Sequence, residues 1–180
     1  MKRRPEGRRQ NAEVRSEGTT GHRESYFWPE PPKDGMLTIA GSEARHISRV
    51  MRHEVGNIIG VVDGAGAEHE VELTAVRIDR VVGRVLSDTR GAREPKHRVA
   101  IAQAVLKGDH LTQVCAQATE LGVSRIIPFE SARMVSRLSQ SKLERLRTVS
   151  LAAMKSSTRT ILPTVDAPVA FDRILEMDGE

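Results

Sequence analysis

The run Ala102–Phe129, AQAVLKGDHLTQVCAQATELGVSRIIPF, restricts the fold more than any other part of the chain. Its pattern predicts a strand over 99–105, a helix over 109–121 and a second strand over 125–129. Gly122 follows the helix and can adopt the left-handed conformation that ends one. A strand, a helix and a strand in this order are the repeating unit of parallel sheets, so this part is predicted to be an α/β domain.

The helix of this run has a polar face almost without charge. Its buried stripe is predicted to contain apolar residues at helical spacing, namely Leu111, Val114, Cys115, Ala118 and Leu121. The opposite face carries Thr112, Gln113, Ala116, Gln117 and Thr119, with Glu120 as its one formal charge. Such a face fits a hydrated contact with another protein surface or with RNA. An ordinary exposed face that lacks Lys is the alternative.

The turn before this helix places a cation at the carboxyl end of a strand. Lys107 and Gly108 lie where ligands collect in open α/β sheets, and a phosphate could contact Lys107 and the helix N-terminus together. The spacing G-x-x-x-x-G-K-[ST] is absent, so the pattern does not favour a nucleotide-dependent enzyme.

The preceding part of the chain predicts a different architecture. Residues 25–90 contain several β-rich runs around an Asp63-Gly64 turn, which indicates a small antiparallel barrel or sheet. Residues 91–98 are charged and contain Gly and Pro, as is typical of a linker. A longer helix with a capping box at Ser141 and a last helix over 168–177 are predicted beyond Ala102–Phe129.

Charge is unevenly distributed along the chain. The formal net charge is +4, and residues 1–24 supply most of it through seven Lys and Arg against four Glu. This segment has few large apolar side chains and is predicted to be a disordered basic tail. The remainder is nearly neutral, so nucleic-acid binding depends on where its cations cluster.

One cluster of cations lies between the first strands. A helix is predicted from a Ser42 N-cap to Gly56, with Arg45, Arg49 and Arg52 at i, i+4 and i+7 and His46 beside them. A purely basic stripe suits phosphate binding, and a merely soluble surface is the other interpretation.

Aromatic residues and cysteine bear on partners and on compartment. Tyr26, Phe27 and Trp28 form either a stacking platform for bases or a hydrophobic edge strand.

The single Cys115 predicts a buried thiol in a reducing compartment. No apolar run approaches the ~20 residues that span a bilayer, and no secretory signal is evident, so we expect a cytoplasmic protein without a membrane partner. No metal site is predicted.

Three stretches taken in order resemble the RsmE family, ribosomal RNA small subunit methyltransferase E. They are GSEARHISRVMRHEVGNIIGVVDGAG, AQAVLKGDHLTQVCAQATELGVSRIIPFESARMV and AAMKSSTRTILP, and the resemblance covers residues 26–180. Members of this family methylate N3 of a uridine in 16S rRNA of the small ribosomal subunit, using S-adenosylmethionine. The resemblance therefore implies an rRNA-processing enzyme that takes part in ribosome biogenesis.

The resemblance also implies a fold and a set of sites. The expected fold is a PUA-like RNA-binding barrel over 25–90, followed over 99–180 by a knotted SPOUT methyltransferase domain that works as a homodimer. His46, Arg49 and Arg52 match the family's helix that helps to hold RNA. Positions of the methyltransferase pattern are matched by Gln103, Lys107, Glu120, Arg133 and Arg159. Arg133 and Arg159 are expected to be substrate-side cations, and Lys107 either the same or a structural partner of an acidic group.

The sequence departs from the family in two places. Ser156 stands where Gln is expected. After Pro163 the family continues through a Gly-Pro-Glu-Gly-Gly loop and a Leu-Arg-x-Glu-Thr-Ala segment, which form the knot and most of the cofactor pocket and are not found by Glu180. The methyltransferase domain is therefore expected to be incomplete, with no assignable catalytic or cofactor-binding residue. A non-catalytic RNA-binding fragment, or half of a split methyltransferase, is the alternative function.

Overall fold

The computed structural model describes residues 25–131 and 137–177, which form two sheets with helices. The strands are β1 Ser25–Phe27, β2 Met36–Ala40, β3 Ile58–Val62, β4 Ala67–Val76, β5 Arg80–Arg90, β6 Ala100–Ala104, β7 Arg125–Glu130, β8 Thr164–Val165 and β9 Val169–Ala170. The helices are α1 Gly41–Arg45, a π-helical turn His46–Val50, α2 His110–Glu120, α3 Gln140–Ser156 and α4 Phe171–Leu175. The predicted tail over 1–24 and the predicted cation Arg133 lie outside the described residues.

The first sheet has the strand order β1-β3-β4-β5-β2. Its neighbours are antiparallel except for β1, which runs parallel to β3. The hairpin predicted at Asp63-Gly64 is present between β3 and β4, and the Asp63 carboxylate accepts hydrogen bonds from the N–H groups of Ala65 and Ala67 at 2.7 and 2.9 Å. Two register shifts interrupt the pair β4–β5, and irregularities of this kind bend a sheet.

The core of this sheet is closed by the short helix that follows β2. Ala44 of α1 and Ile47 of the π-helical turn have no exposed surface and pack with Tyr26, Leu37 and other strand residues. A sheet with one face buried in this way alternates apolar and polar residues, as β2 does.

The helix predicted from Ser42 to Gly56 is shorter and less regular than expected. It begins after Ala40 without a side-chain cap, so Ser42 is not the N-cap. From His46 onward it widens, because the N–H of Met51 donates to the carbonyl of His46 at 3.0 Å, five residues back. Helical structure ends at Val50.

The second sheet is parallel, with the order β6-β7-β8 and with β9 paired to the far end of β7. Helices α2 and α3 pack together over it, and their apolar residues share one core with Ile126 and Val165. Both predicted strands and the helix between them are found within one residue of their expected bounds. The mixed α/β class predicted from the sequence is confirmed.

Ends of the helices show which local predictions hold. Gly122 has a φ of 102° and ends α2 as predicted. The N-cap of α3 is Ser139 rather than Ser141, since the Ser139 hydroxyl accepts from the N–H of Lys142 at 3.4 Å.

Cys115 is fully buried in α2, and this burial raises the pKa of its thiol to about 11. The thiol is therefore protonated at neutral pH and inert as a nucleophile.

Backbone hydrogen bonds connect the first sheet to the segment that follows α3. The N–H of Leu162 donates to the carbonyl of Gly64 at 2.9 Å, and the N–H of Gly66 donates to the carbonyl of Thr160 at 3.1 Å. Glu43 of α1 adds a further link, described below. The segment after α3 is thus joined to the β3–β4 hairpin by backbone hydrogen bonds. None of the described helices is both long enough and apolar enough to span a membrane.

Candidate nucleic-acid interface

Three arginines lie exposed around the π-helical turn. Arg45, Arg49 and Arg52 form no ion pair within the described ranges, and beside them Val50 is 66% exposed. Together with the exposed Met51 we call this set the arginine surface. Unneutralised guanidinium groups next to exposed apolar groups suit contact with phosphates and with bases.

The geometry of the arginine surface differs from the predicted stripe. Because the π-helical turn is wider than an α-helical one, and because the helix ends at Val50, the spacing i, i+4, i+7 does not place the three side chains on one line. Arg52 has a φ of 56°, a left-handed conformation that costs a non-glycine residue roughly 1–2 kcal/mol. This conformation ends the helical segment, since the N–H of His53 donates to the carbonyl of Ile47 at 3.0 Å, a bond typical of a left-handed residue after a helix end.

His46 and His53 both contact the buried Tyr26 beside this segment. The hydroxyl of Tyr26 and Nε2 of His53 are hydrogen-bonded at 2.9 Å, and His46 packs edge-on against the Tyr26 ring with centroids 5.8 Å apart. Tyr26 is 1% exposed, so the hydrophobic interpretation of the aromatic run holds for this residue. His46 therefore positions the helix by packing, while the arginines present charge.

Lys107 lies exposed in the turn between β6 and α2, as predicted. Gly108 follows it with a φ of 71°, which lets the chain reverse into the helix. Within the described ranges no ion pair involves Lys107, so its ammonium group is available at the carboxyl end of β6.

The cavity beside this turn is small. It lies between α2 and α3 and has a volume of about 40 Å³, and its lining includes Asp109 and Arg145, which form an ion pair at 3.3 Å. Sites for nucleoside-sized molecules have roughly 300–1,000 Å³. The described residues at this edge therefore do not fit S-adenosylmethionine.

Arg159 is not a surface cation, which corrects its prediction as a substrate-side group. It is 4% exposed, and its Nη1 donates to the carbonyls of Thr119 and Val123 at 2.8 and 3.0 Å. Its remaining donors bind the carboxylate of Glu94, whose other oxygen accepts from the N–H of Thr160 at 2.7 Å. A guanidinium whose donors are satisfied and buried cannot also hold RNA.

The sequence pattern did not single out Glu94. The hydrogen bonds of its carboxylate fix the predicted linker over 91–98 to the rest of the fold. Burial on its own raises the pKa of the Glu94 carboxyl, but hydrogen bonds from Arg159 and from two backbone N–H groups outweigh it and lower the pKa below its ordinary value. The one sequence signal for this role was that Glu94 is the single acidic residue of 91–98 and lies among basic residues.

Two further predictions on α2 are corrected. Thr119, placed on the polar face, is fully buried, and its hydroxyl donates to the carbonyl of Cys115 at 2.7 Å. Leu121, placed in the buried stripe, is 83% exposed because the helix ends at Glu120 and the chain turns away before Gly122. Gln103 is half-buried and donates to the carbonyl of Ala104 at 3.2 Å, and Glu120 is exposed.

Comparisons with known proteins agree with this architecture. A family model described as RNA methyltransferase domain matches residues 92–180. The chain is 34% identical to ribosomal RNA small subunit methyltransferase E of Bacillus subtilis over 144 residues, which are 78% of this chain and 56% of that protein. Relatives of the same name in Synechocystis and Mesomycoplasma hyopneumoniae are 28% and 30% identical. The chain spans about half the length of these relatives.

Two solved structures share the fold. A crystal structure of a hypothetical protein is 32% identical with a TM-score of 0.76, and the match covers 84% of this chain and 66% of that one. A ribosomal RNA small subunit methyltransferase E from Neisseria gonorrhoeae, crystallised with S-adenosylmethionine, is 24% identical with a TM-score of 0.80 over 88% of this chain and 67% of that one. The sheets and helices described above therefore recur in these proteins.

Proposed function

Because the chain belongs to the RsmE family, we propose that it acts in the S-adenosylmethionine-dependent methylation of N3 of a uridine in 16S rRNA. In this proposal residues 25–90 are a PUA-like RNA-binding barrel, 91–98 connect it, and 99–180 belong to a SPOUT methyltransferase domain of the knotted class. Its partner is 16S rRNA or the small ribosomal subunit, and it is a cytoplasmic protein that works as a homodimer.

The observation that carries the proposal is the arginine surface. Its three guanidinium groups lack acidic partners in the described part of the chain, and positive groups of this kind replace the counterions of an RNA backbone. Lys107 is proposed as a substrate-side cation, because a positive charge at the end of β6 stabilises a uracil that has lost its N3 proton. S-adenosylmethionine supplies the methyl group when it is bound. No step is assigned through it, since the cavity at the end of β6 has a volume of only about 40 Å³.

Replacing Arg45, Arg49 and Arg52 together by Ala is expected to weaken RNA binding and its dependence on salt. If each guanidinium meets one phosphate, the slope of log affinity against log salt becomes shallower by about 2–3. The slope is measured by fluorescence anisotropy of a labelled fragment of 16S rRNA at several salt concentrations.

A matched control removes three arginines that already have acidic partners. Arg84, Arg93 and Arg173 bind Glu72, Glu68 and Glu176, so their replacement by Ala changes the net charge equally and leaves the arginine surface intact. We expect the control to keep most of the slope. Equal slopes for the two triple variants would show that overall charge, rather than the arginine surface, binds RNA.

A second candidate function is RNA binding without methylation by this chain alone, either as a non-catalytic fragment or as half of a split methyltransferase. The 40 Å³ cavity at the end of β6 favours it. Isothermal titration of the purified chain with S-adenosylmethionine is therefore expected to give no micromolar binding. Micromolar binding with one molecule per chain would contradict this and would require a cofactor site other than the cavity at the end of β6.

A further inference from the structure

A cleft of about 530 Å³ opens beside β2 of the first sheet. Its floor is formed by Met36, Thr38 and Ala40 of β2, which alternate along the strand with the buried Leu37 and Ile39. The volume lies within the roughly 300–1,000 Å³ of small-molecule sites. The cleft is separate from the small cavity between α2 and α3.

The walls of the cleft are held in place by the backbone. The N–H of Trp28 donates to the carbonyl of Val62 at 2.9 Å, and the half-buried indole packs against the core of the sheet. On the next wall, Lys33 and Met36 exchange two backbone hydrogen bonds of 2.9 Å each. The two residues between them have φ values of 50° and 71°, the left-handed pair that a tight hairpin turn requires. A ligand would therefore meet preformed walls.

The cleft combines one aromatic ring with four charges. Glu30, Lys33, Asp79 and Arg80 line it, all are exposed, and none forms an ion pair within the described ranges. A ligand that satisfies all of them needs an anionic group for the cations, N–H donors for the carboxylates and a flat ring for Trp28. A nucleotide has these three parts together.

We propose that this cleft binds one unpaired nucleotide of RNA, with guanine as the preferred base. The base stacks on Trp28, its phosphate binds Lys33 or Arg80, and a carboxylate of Glu30 or Asp79 accepts from the adjacent N1–H and N2–H donors of guanine. Unpaired bases are recognised in this manner by other RNA-binding proteins, through stacking and through their Watson–Crick edge. Among the four bases, guanine alone places two N–H donors side by side on that edge.

The position of the cleft supports RNA as the source of the nucleotide. Ala40, at one end of its floor, directly precedes α1, and the N–H of Gly41 donates to the carbonyl of Asp79 at 3.3 Å. The cleft is therefore continuous with the helix that carries Arg45. A strand bound along the arginine surface can place its next nucleotide in the cleft. This step rests on the proposed function, because it takes RNA as the ligand.

Trp28 is the one tryptophan of the chain, so its fluorescence reports on the cleft alone. The full chain is titrated with a short oligouridylate and with the same oligonucleotide carrying one central guanosine, while anisotropy of a label on the RNA measures binding independently. We expect saturable quenching of Trp28 with the same midpoint as the anisotropy, and about tenfold tighter binding of the guanosine-containing oligonucleotide.

Variants separate stacking from base recognition. Trp28→Leu keeps an apolar side chain and is expected to bind RNA about tenfold more weakly, whereas Trp28→Phe keeps a stacking ring and most of the affinity. The double change Glu30→Gln and Asp79→Asn is expected to remove the preference for guanosine. Circular dichroism confirms that each variant is folded, and the quenching of Trp28 in the parent chain tests stacking even if the Leu variant unfolds.

Two results would overturn the proposal in different ways. RNA that binds by anisotropy without changing Trp28 emission, or with equal affinity for the two oligonucleotides, overturns the guanine site and leaves the proposed function standing. No binding of either these oligonucleotides or a fragment of 16S rRNA overturns both.

Discussion

Replacement of Arg159 by Met is expected to lower the free energy of unfolding by about 3–5 kcal/mol. The guanidinium binds the carboxylate of Glu94 and two backbone carbonyls in a site where both side chains are at most 6% exposed. Met fills a similar length without donors, so it leaves the Glu94 carboxylate and those carbonyls buried without their partner. Urea unfolding followed by circular dichroism measures the change.

Arg173 provides the matched control for this substitution. Its side chain is 70% exposed and binds Glu176 one helical turn away, so Arg173→Met is expected to cost less than about 1 kcal/mol. A loss for Arg159→Met no greater than for the control would mean that Glu94 and the carbonyls find water when the guanidinium is removed.

The same ion pair predicts how stability depends on pH. The pKa of Glu94 is lower in the folded chain than its ordinary value of 4.5, because hydrogen bonds to the carboxylate outweigh the effect of burial. A carboxyl with a depressed pKa stabilises the fold fully above its unfolded pKa, and this contribution is lost as pH falls through the folded value. The fall in stability between about pH 6 and about pH 3 should therefore be smaller in Glu94→Gln than in the parent chain.

Replacement of Gly122 by Ala is expected to lower the free energy of unfolding by about 2–6 kcal/mol, as the sum of backbone strain and overpacking. At a φ of 102° a side chain is strained, and the added Cβ would overlap the ring of Pro95. Pro95 follows Glu94, so the overlap would also push the connecting segment away from the end of α2. Thermal and urea unfolding measure the loss.

Gly108 separates the two contributions. It has a φ of 71° and nothing within 4 Å of an added Cβ, so Gly108→Ala tests strain without overlap and is expected to cost about 1–2 kcal/mol. Equal losses at the two glycines would show that Pro95 moves aside without cost.

Local sequence signals predicted the second sheet well. The apolar spacing of α2 and the glycine after it depend on residues within one segment, so they determine where that helix runs and ends. Asp63-Gly64 predicted its hairpin for the same reason. The exposed state of Lys107 follows from its place in a short turn between a strand and a helix.

Tertiary contacts account for what the sequence did not predict. Arg159 and Glu94 are 65 residues apart, and no local pattern distinguishes a buried ion pair from two surface charges. The π-helical turn at His46–Val50 also depends on context, because Ile47 has to reach the core beside Tyr26 while the arginines stay in solvent. The spacing of the arginines alone fits a regular helix equally well, which is why Arg52 was placed on the stripe.

If the arginine surface and Lys107 bind RNA as proposed, the link between the sheets at Glu43 restricts the RNA shapes that fit them. One oxygen of this carboxylate accepts from the N–H of Phe27 at 2.8 Å and from Nζ of Lys155 at 2.7 Å, so β1, α1 and α3 meet at a single group. The span from the arginine surface to Lys107 is consequently set by the protein. A single-stranded loop can bend to match such a span, whereas a stiff duplex offers phosphates only at its own fixed intervals.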